Sequence, residues 1–508
     1  MSERASQRWS AAAWWCVLVI AGVGPLLTTN LSGLGIGRYA LTYDQHFLAR
    51  AVLVVTLSFA ALGLALLAAG FVGRGVRVAQ PLILLAAFLG LATLSAALSP
   101  ERTGSLLGQY AHYEGLVTLL AYGALVLAVM QVVTPARLRV FVRCSVVAGG
   151  LVAAHGVLQI AGLDPTNWTE ATFTLTRSFA SWGNPDFLGG YLVLPLAFSA
   201  TLALTEESRL WRWVSGFAFG LVVLALIGTV TRGAWIAAVF GLAVTAFALK
   251  RAGWRVVRAG GVASLLLPPV AFVALGGTHR VVNRVTSVAA PETDGGTGSR
   301  FDIWREALQI IGRNPLFGGG PDTFEATTAR YRLTGAPLAN DAHNHLLQLG
   351  VTVGVPAALA LWGFFAWAVL GRREAVLSCR HDSDSALLVA CWSGAAGVMA
   401  ALMFGLSQTV STAIMLVCVA VLLRMRTRET AVGSATAYGL ASVALAAAVA
   451  AALVGGVALV ADAEMMRARI AAHEGGERLS HAERAVELNP YNARYRRELT
   501  EARSAQAR

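Results

Sequence analysis

Four short stretches of this 508-residue chain carry residue types that do chemistry. Asp341-Ala-His343-Asn-His345 alternates three groups that bind metals or move protons. Alternation presents three metal ligands together only in an extended segment, because on a helix His343 and His345 diverge by roughly 200°. No fourth ligand is apparent nearby, and a general base at His343 suits the residues better, since imidazole titrates near neutrality. A helix-capping Asp341 followed by polar interfacial histidines is the plain structural alternative. Arg232, in Val230-Thr-Arg-Gly-Ala-Trp235, sits in a tight break between two apolar runs. A lone arginine there either snorkels to headgroups or offers a planar, bidentate fork to a phosphate. Arg300 follows Ser299, and Ser299-Arg-Phe-Asp302 reads as a capping box in which Ser299 accepts from the Asp302 N–H. A cation in that first turn opposes the helix dipole. The placement makes sense beside an anion, with helix N–H groups and Arg300 converging on one phosphate. Gly318-Gly-Gly320 lacks the Lys-Ser/Thr that completes a phosphate-binding loop and reads as a turn.

The elements that must position these groups are membrane spans. The chain is 56% hydrophobic and 13% charged, against about 25% charged in a soluble domain. A globule of this size would lack polar surface, so a soluble enzyme, a disordered scaffold and a fibrous repeat are all excluded as readings. Apolar runs long enough to span fall at 11–30, 51–72, 80–98, 115–133, 140–161, 187–205, 211–230, 233–249, 257–276, 345–370, 386–405, 409–423 and 434–461. The expected fold class is therefore all-α, a polytopic membrane protein of 12 or 13 transmembrane helices. The first run is longer than a signal-peptide core and lacks a clear Ala-x-Ala site, so it reads as a retained span. The five cysteines carry no CxxC spacing and predict neither a disulfide framework nor a metal site.

The net charge of +12 fits cytoplasmic loops beside anionic lipid better than nucleic acid. With the N-terminus inside, 19 basic residues fall on short cytoplasmic loops, 12 on the much longer outward segments and nine after the last span. That places the Arg232, Arg300 and His343 segments outside. The outward segment 277–344 is too long for a mere connector. Within it Phe301, Trp304, Leu308 and Ile311 recur at helical spacing, predicting an amphipathic helix of about twelve residues at the outer interface, stopped by Asn314-Pro315. The domain reading is a transmembrane unit over 1–463 and a polar helical tail over 464–508, where Ala482–Ala493 is similar to part of a tetratricopeptide unit. One partial unit cannot bury its own face, so the tail reads as a capping helix pair or a docking stub for a protein partner.

Residues 300–356 resemble the O-antigen ligase and polymerase superfamily, bacterial membrane glycosyltransferases acting on polyprenyl-diphosphate-linked glycans. The carrying motifs are Gly298-Ser-Arg-Phe-Asp-Ile-Trp304, Asn314-Pro-Leu-Phe-Gly-Gly-Gly320, and His343-Asn344 followed after nine residues by Gly354. Upstream, Phe179-Ala-Ser-Trp-Gly-Asn-Pro-Asp-Phe187 and Thr231-Arg-Gly-Ala-Trp235 match as well, so the resemblance extends over about residues 100–425. The chain departs from the pattern at Thr352, where an acidic residue is common, at Ala357, where a second glycine is usual, and at His345, often Asp or another polar group.

The resemblance implies a transferase of the plasma membrane with its site on the extracytoplasmic face. Arg232 and Arg300 would hold the lipid diphosphate of the donor, and His343 would act on an acceptor hydroxyl carried by a glycan, a lipid or a protein. Asn184, Asp302, Trp304, Asn344, His345 and Gly354 would touch substrate or shape the loops. Inverting transfer by direct displacement, with no metal and no cofactor, follows from that assignment. The same residues also suit a polymerase that joins lipid-linked repeat units. A transporter predicts ionisable groups at mid-membrane depth, and the spans carry few.

Overall fold

The computed structural model describes every residue except 1, 74, 169–176, 254–294, 332–338, 379–382, 475 and 507–508. Its α-helices of six residues or more, in chain order, are α1 (Ser2–Gly22), α2 (Leu48–Phe71), α3 (Leu82–Leu98), the short α4 (Arg102–Leu107), α5 (Leu116–Val132), α6 (Pro135–Ile160), α7 (Pro185–Thr205), α8 (Arg209–Gly228) and α9 (Arg232–Arg251). They continue with α10 (Gly295–Arg313), α11 (Phe324–Tyr331), α12 (His345–Thr352), α13 (Val355–Leu370), α14 (Ser383–Leu402), α15 (Thr409–Arg424), α16 (Ser434–Glu474), α17 (Arg478–Leu488) and α18 (Ala493–Gln506). Among the described residues, nine helical stretches are long and apolar enough to cross a bilayer, and α3, α5 and α15 are shorter apolar helices. The protein is an all-α, polytopic membrane protein. Twelve of the thirteen expected spans correspond to these helices; the one expected over 257–276 lies outside the described residues.

The bundle is layered by burial. Helix α15 is buried over almost its whole length, and α5 and α7 nearly so, whereas α8, α9 and α16 turn Phe217, Val239 and Val443 outward. Close approach of the inner helices depends on small residues, as usual where lipid offers no competing hydrophobic drive. A Cβ on Gly149 of α6 would lie 2.3 Å from Pro195 Cβ, so α6 crosses α7 at the one proline inside it. At one end of the bundle a short antiparallel pair, β1 (Val76–Val78) with β2 (Arg428–Thr430), ties two loops together. The chemistry-bearing segments gather at the other end.

Three local expectations change. The 345–370 run is two helices, because Gly354 takes φ +87° and its missing Cβ would lie 2.2 Å from Leu316 O. Helix α10 begins at Gly295, so Ser299 stands inside it rather than at a cap, and the helix has 19 residues. Its buried stripe is Ile303, Ala307 and Ile310, packed on Phe324, Ala342 and Val351, while Phe301 and Leu308 point outward. Burying each isoleucine contributes about 1.5–3 kcal/mol, enough to hold α10 against α12. As expected, the helix ends before Asn314-Pro315.

The tail begins on the same helix that forms the last span, since α16 runs unbroken through residues 463 and 464. Its end and the α17–α18 pair enclose a small core of Ala461, Met465, Ala482, Ala485, Tyr495 and Leu499, with Tyr43 and Tyr110 packed against it. Asp462, fully buried, accepts from the Tyr495 and Tyr110 hydroxyls and from the Asp44 N–H at 2.5 Å. The tail is thus docked on the chain's own loops.

Candidate functional site

Two helix starts and one loop helix converge on a carboxylate. Asn184 caps α7, its side chain accepting from the Asp186 N–H at 2.8 Å, and Pro185 occupies the first helical position. Asp186 follows in the first turn, where the helix dipole favours an anion. Between α8 and α9 the chain reverses through Val230, at φ +52°, and Thr231 enters α9. The Thr231 hydroxyl donates to Asp186 Oδ1 at 2.9 Å. Arg177 donates from Nη2 to the same oxygen at 3.0 Å and from Nε to Thr229 O at 2.8 Å. Arg300, projecting from α10, donates from Nη2 to Asp186 Oδ2 at 3.0 Å. Two guanidinium groups from distant segments therefore share one carboxylate, and all three side chains remain partly open to solvent. Arg232 is the first residue of α9, next to Thr231.

His343 arrives from the far end of the long loop. It takes φ +47°, unusual for a non-glycine residue, and Asp341 holds it there: Asp341 Oδ1 accepts the His343 N–H at 2.8 Å and lies 3.0 Å from Nδ1. With Nδ1–H directed at the carboxylate, Nε2 carries the lone pair. His343 also stands within electrostatic reach of Asp186. Asn344 caps α12, accepting from the Leu347 N–H at 3.1 Å, and its amide donates to Met403 O at 3.0 Å. The Trp304 indole donates to Ala342 O at 2.8 Å, pinning α10 beside the histidine. Gly354 is remote from these charges and acts by breaking α12 from α13. Asp302 is not brought in; it is exposed and pairs with Arg305 at 3.8 Å. The glycines of 318–320 form a turn as expected, pinned by Gly320 N–H on Thr352 O at 2.7 Å and by Ser99 on Gly319 O at 2.6 Å.

Two cavities open beside these groups. One is walled by Asp186, Tyr191, Thr231 and Gly233 and by the 404–408 hinge between α14 and α15. The other has His112, Glu114, Asp322 and His345 at its polar end and Phe88, Leu361, Phe365 and Met415 along its apolar wall. Leu402, Ser407 and Thr412 line both. His345 is 6% exposed and its Nδ1 has no hydrogen-bond partner. Because His345 turns into this second cavity while His343 stays with Asp341, the alternating Asp-His-His residues do not converge. No group of three His, Cys, Asp or Glu side chains able to hold a metal ion occurs among the described residues.

The polar end of the second cavity is a network that local spacing does not reveal. His112 Nδ1 pairs with Asp322 Oδ1, and its Nε2 lies 3.2 Å from Ser407 O. Asp322 Oδ2 accepts from the Gln109 and Glu114 N–H groups at 2.8 and 2.9 Å. Glu114 accepts from the Tyr122 hydroxyl at 2.5 Å and from Ser407. Burial pushes the His112 imidazole down, but the charge and hydrogen bond of Asp322, with Glu114 behind them, push it up further, to about 10. Burial raises the Glu114 carboxyl. The buried imidazolium joins the segments at 109–115, 320–323 and 404–408. A basic group raised on folding stabilises the fold fully below its ordinary value near 6.5 and loses that contribution as pH climbs through about 10. Thermal melting of the detergent-solubilised protein from pH 6 to 10.5 should show wild type well above His112→Gln at the acid end. The two curves should meet at the alkaline end; a constant offset would mean that the imidazole is neutral throughout.

Sequence reasoning passed over Arg177, Asp186, Thr231 and this network as site residues. Arg177 and Asp186 were visible as charges flanking the Asn184-Pro185 motif, and a charged pair beside a helix cap was the available signal. His112 and Asp322 are 210 positions apart, so nothing in the sequence links them.

Residues 217–362 match the family described as O-Antigen ligase. No curated protein matches the chain. The matched stretch runs from α8 into α13 and includes Arg232, Arg300, Asp341 and His343; Arg177, Asp186 and His112 lie before it. Over residues 217–362 the chain is thus similar to the O-antigen ligase family, which supports reading it as a membrane glycosyltransferase of that type.

Proposed function

We propose that the protein transfers a glycan from a polyprenyl-diphosphate carrier to an acceptor hydroxyl on the extracytoplasmic face of the plasma membrane. The observation that carries the reading is one carboxylate holding two arginines at the mouth of a cavity, with an Asp-oriented histidine within electrostatic reach. The acceptor oxygen attacks the anomeric carbon as the bond from that carbon to the diphosphate oxygen breaks. The electron pair leaves with the lipid diphosphate, and the hydroxyl proton passes to His343 Nε2. Arg177 and Arg300, with Arg232 adjoining, stabilise the charge developing on the leaving group, and His343 serves as general base from the opposite side. Attack opposite the departing group inverts the anomeric centre. Diphosphate is a good leaving group once its charge is met by fixed cations, so the step asks for neither a metal nor a general acid.

The arginine-rich loops bearing Arg77, Arg139 and Arg428 lie at the β1–β2 end, supporting a cytoplasmic assignment for that end. The transferase unit is 1–463; the tail, 464–508, braces its outward loops.

The test reconstitutes the full chain in nanodiscs with a synthetic polyprenyl-diphosphate oligosaccharide and envelope glycolipid extract. Lipid diphosphate should be released only when donor and acceptor are both present. One glycan per acceptor identifies a ligase, and a ladder of lipid-linked repeats identifies the polymerase reading. Movement of intact donor across the bilayer without release would make the protein a transporter.

A further inference from the structure

The clamp contains its own anion. Asp186 takes an N–H from Arg177 on one oxygen and from Arg300 on the other, both at 3.0 Å, and the Thr231 hydroxyl fixes its orientation at 2.9 Å. A carboxylate bridging two guanidinium groups occupies the donor directions that a phosphate would use. It also halves the local positive charge: two arginines against one carboxylate leave +1, whereas a doubly esterified diphosphate carries two negative charges. A site built only to bind diphosphate tightly would carry a neutral residue at this position.

We propose that Asp186 is a placeholder for the leaving group, a positioning residue that holds Arg177 and Arg300 in register in the empty site and sets how readily lipid diphosphate departs. This rests on the diphosphate reading of the two arginines. When the diphosphate enters, guanidinium N–H groups exchange one anionic acceptor for another, so they neither lose orientation nor face an unpaired desolvated state. Transfer frees one ester oxygen and adds negative charge to the bound product. Arginines without a competing anion would then retain the product, and turnover would wait on its release. Asp186 is suited to compete because it sits in the first turn of α7, where its charge is favoured, and its backbone is fixed by the Asn184 cap.

The test measures binding of inorganic pyrophosphate and of farnesyl diphosphate to the full-length protein in nanodiscs, alongside donor turnover. Asp186→Asn keeps the shape and removes the charge. It should tighten both ligands by about tenfold, the scale of one partly exposed charge interaction. It should lower the donor KM and kcat together, whereas a merely structural defect would lower kcat and weaken binding. Asp186→Ser, neutral and shorter, should behave like Asp186→Asn and serves if the latter proves unstable, while Asp186→Glu should keep wild-type affinity. Adding Arg177→Ala to Asp186→Asn should remove the gain. Wild-type binding with no gain, or a loss, in both neutral variants would overturn the placeholder role and leave the clamp standing. Failure of wild type and neutral variants alike to bind either diphosphate would overturn the clamp itself, and the inference with it.

Discussion

His343→Ala should lower kcat by a factor on the order of 10²–10⁴, the usual contribution of a positioned general base, while leaving donor affinity close to wild type. The separation is the informative part. His343 is held by Asp341 through both its backbone N–H and its ring, so the imidazole is fixed in one orientation and one tautomer before substrate arrives. Its removal takes away the proton acceptor and leaves the hydrogen bonds of Arg177, Arg300, Thr231 and Asp186 untouched. Asp341→Asn should give a smaller loss in kcat, because the amide still accepts from the backbone N–H but no longer carries the charge that favours the imidazolium formed during transfer. Single-turnover release of lipid diphosphate, set beside equilibrium binding of the donor, checks both. Wild-type single-turnover rates in His343→Ala would sink the base assignment. A large rise in donor Kd would instead move the histidine to the donor side.

The spans were legible because a bilayer demands about twenty apolar residues in a row, and runs of that kind survive any packing arrangement. Legibility failed where tertiary contact decided the outcome. The Gly354 break is invisible to hydropathy, since Leu349 to Ala358 is apolar on both sides of it; the break follows from a backbone contact with Leu316 in a distant loop. The Phe301–Leu308 stripe read as the apolar face of an interfacial helix; the protein core is made instead by Ile303, Ala307 and Ile310, because α12 lies on that side. In the site, His343 and Arg300 stood out as chemical types in a recognisable order. Their pairing did not, because Asp186 is 114 residues from Arg300 and sits just before the run that reads as a span, where it looks like an ordinary first-turn acid. The alternative that made Asp341 a helix cap does not hold; Asn344 is the cap, and Asp341 orients the histidine.

Arg177→Ala and Arg300→Ala should each reduce donor kcat/KM by roughly 10²–10³, the scale for removing one preorganised donor to developing negative charge. Arg300→Lys should recover little of it, because an ammonium on a flexible stem cannot reproduce the guanidinium fork. The double variant carries the stronger inference. Both arginines end on Asp186, Arg177 also donates to Thr231 Oγ1 at 3.0 Å, and Thr231 donates to Asp186. Loss of either arginine therefore leaves the carboxylate to fold onto the other and cancel its charge, so the surviving cation should already be largely disabled. The combined defect should fall short of the product of the single defects by an interaction of about 0.5–3 kcal/mol, as for side chains in one network. A four-member cycle of kcat/KM for wild type, both single variants and the double variant measures it directly. Strict multiplicativity would show that the two guanidinium groups meet the substrate independently, and Asp186 would then be no part of how they act.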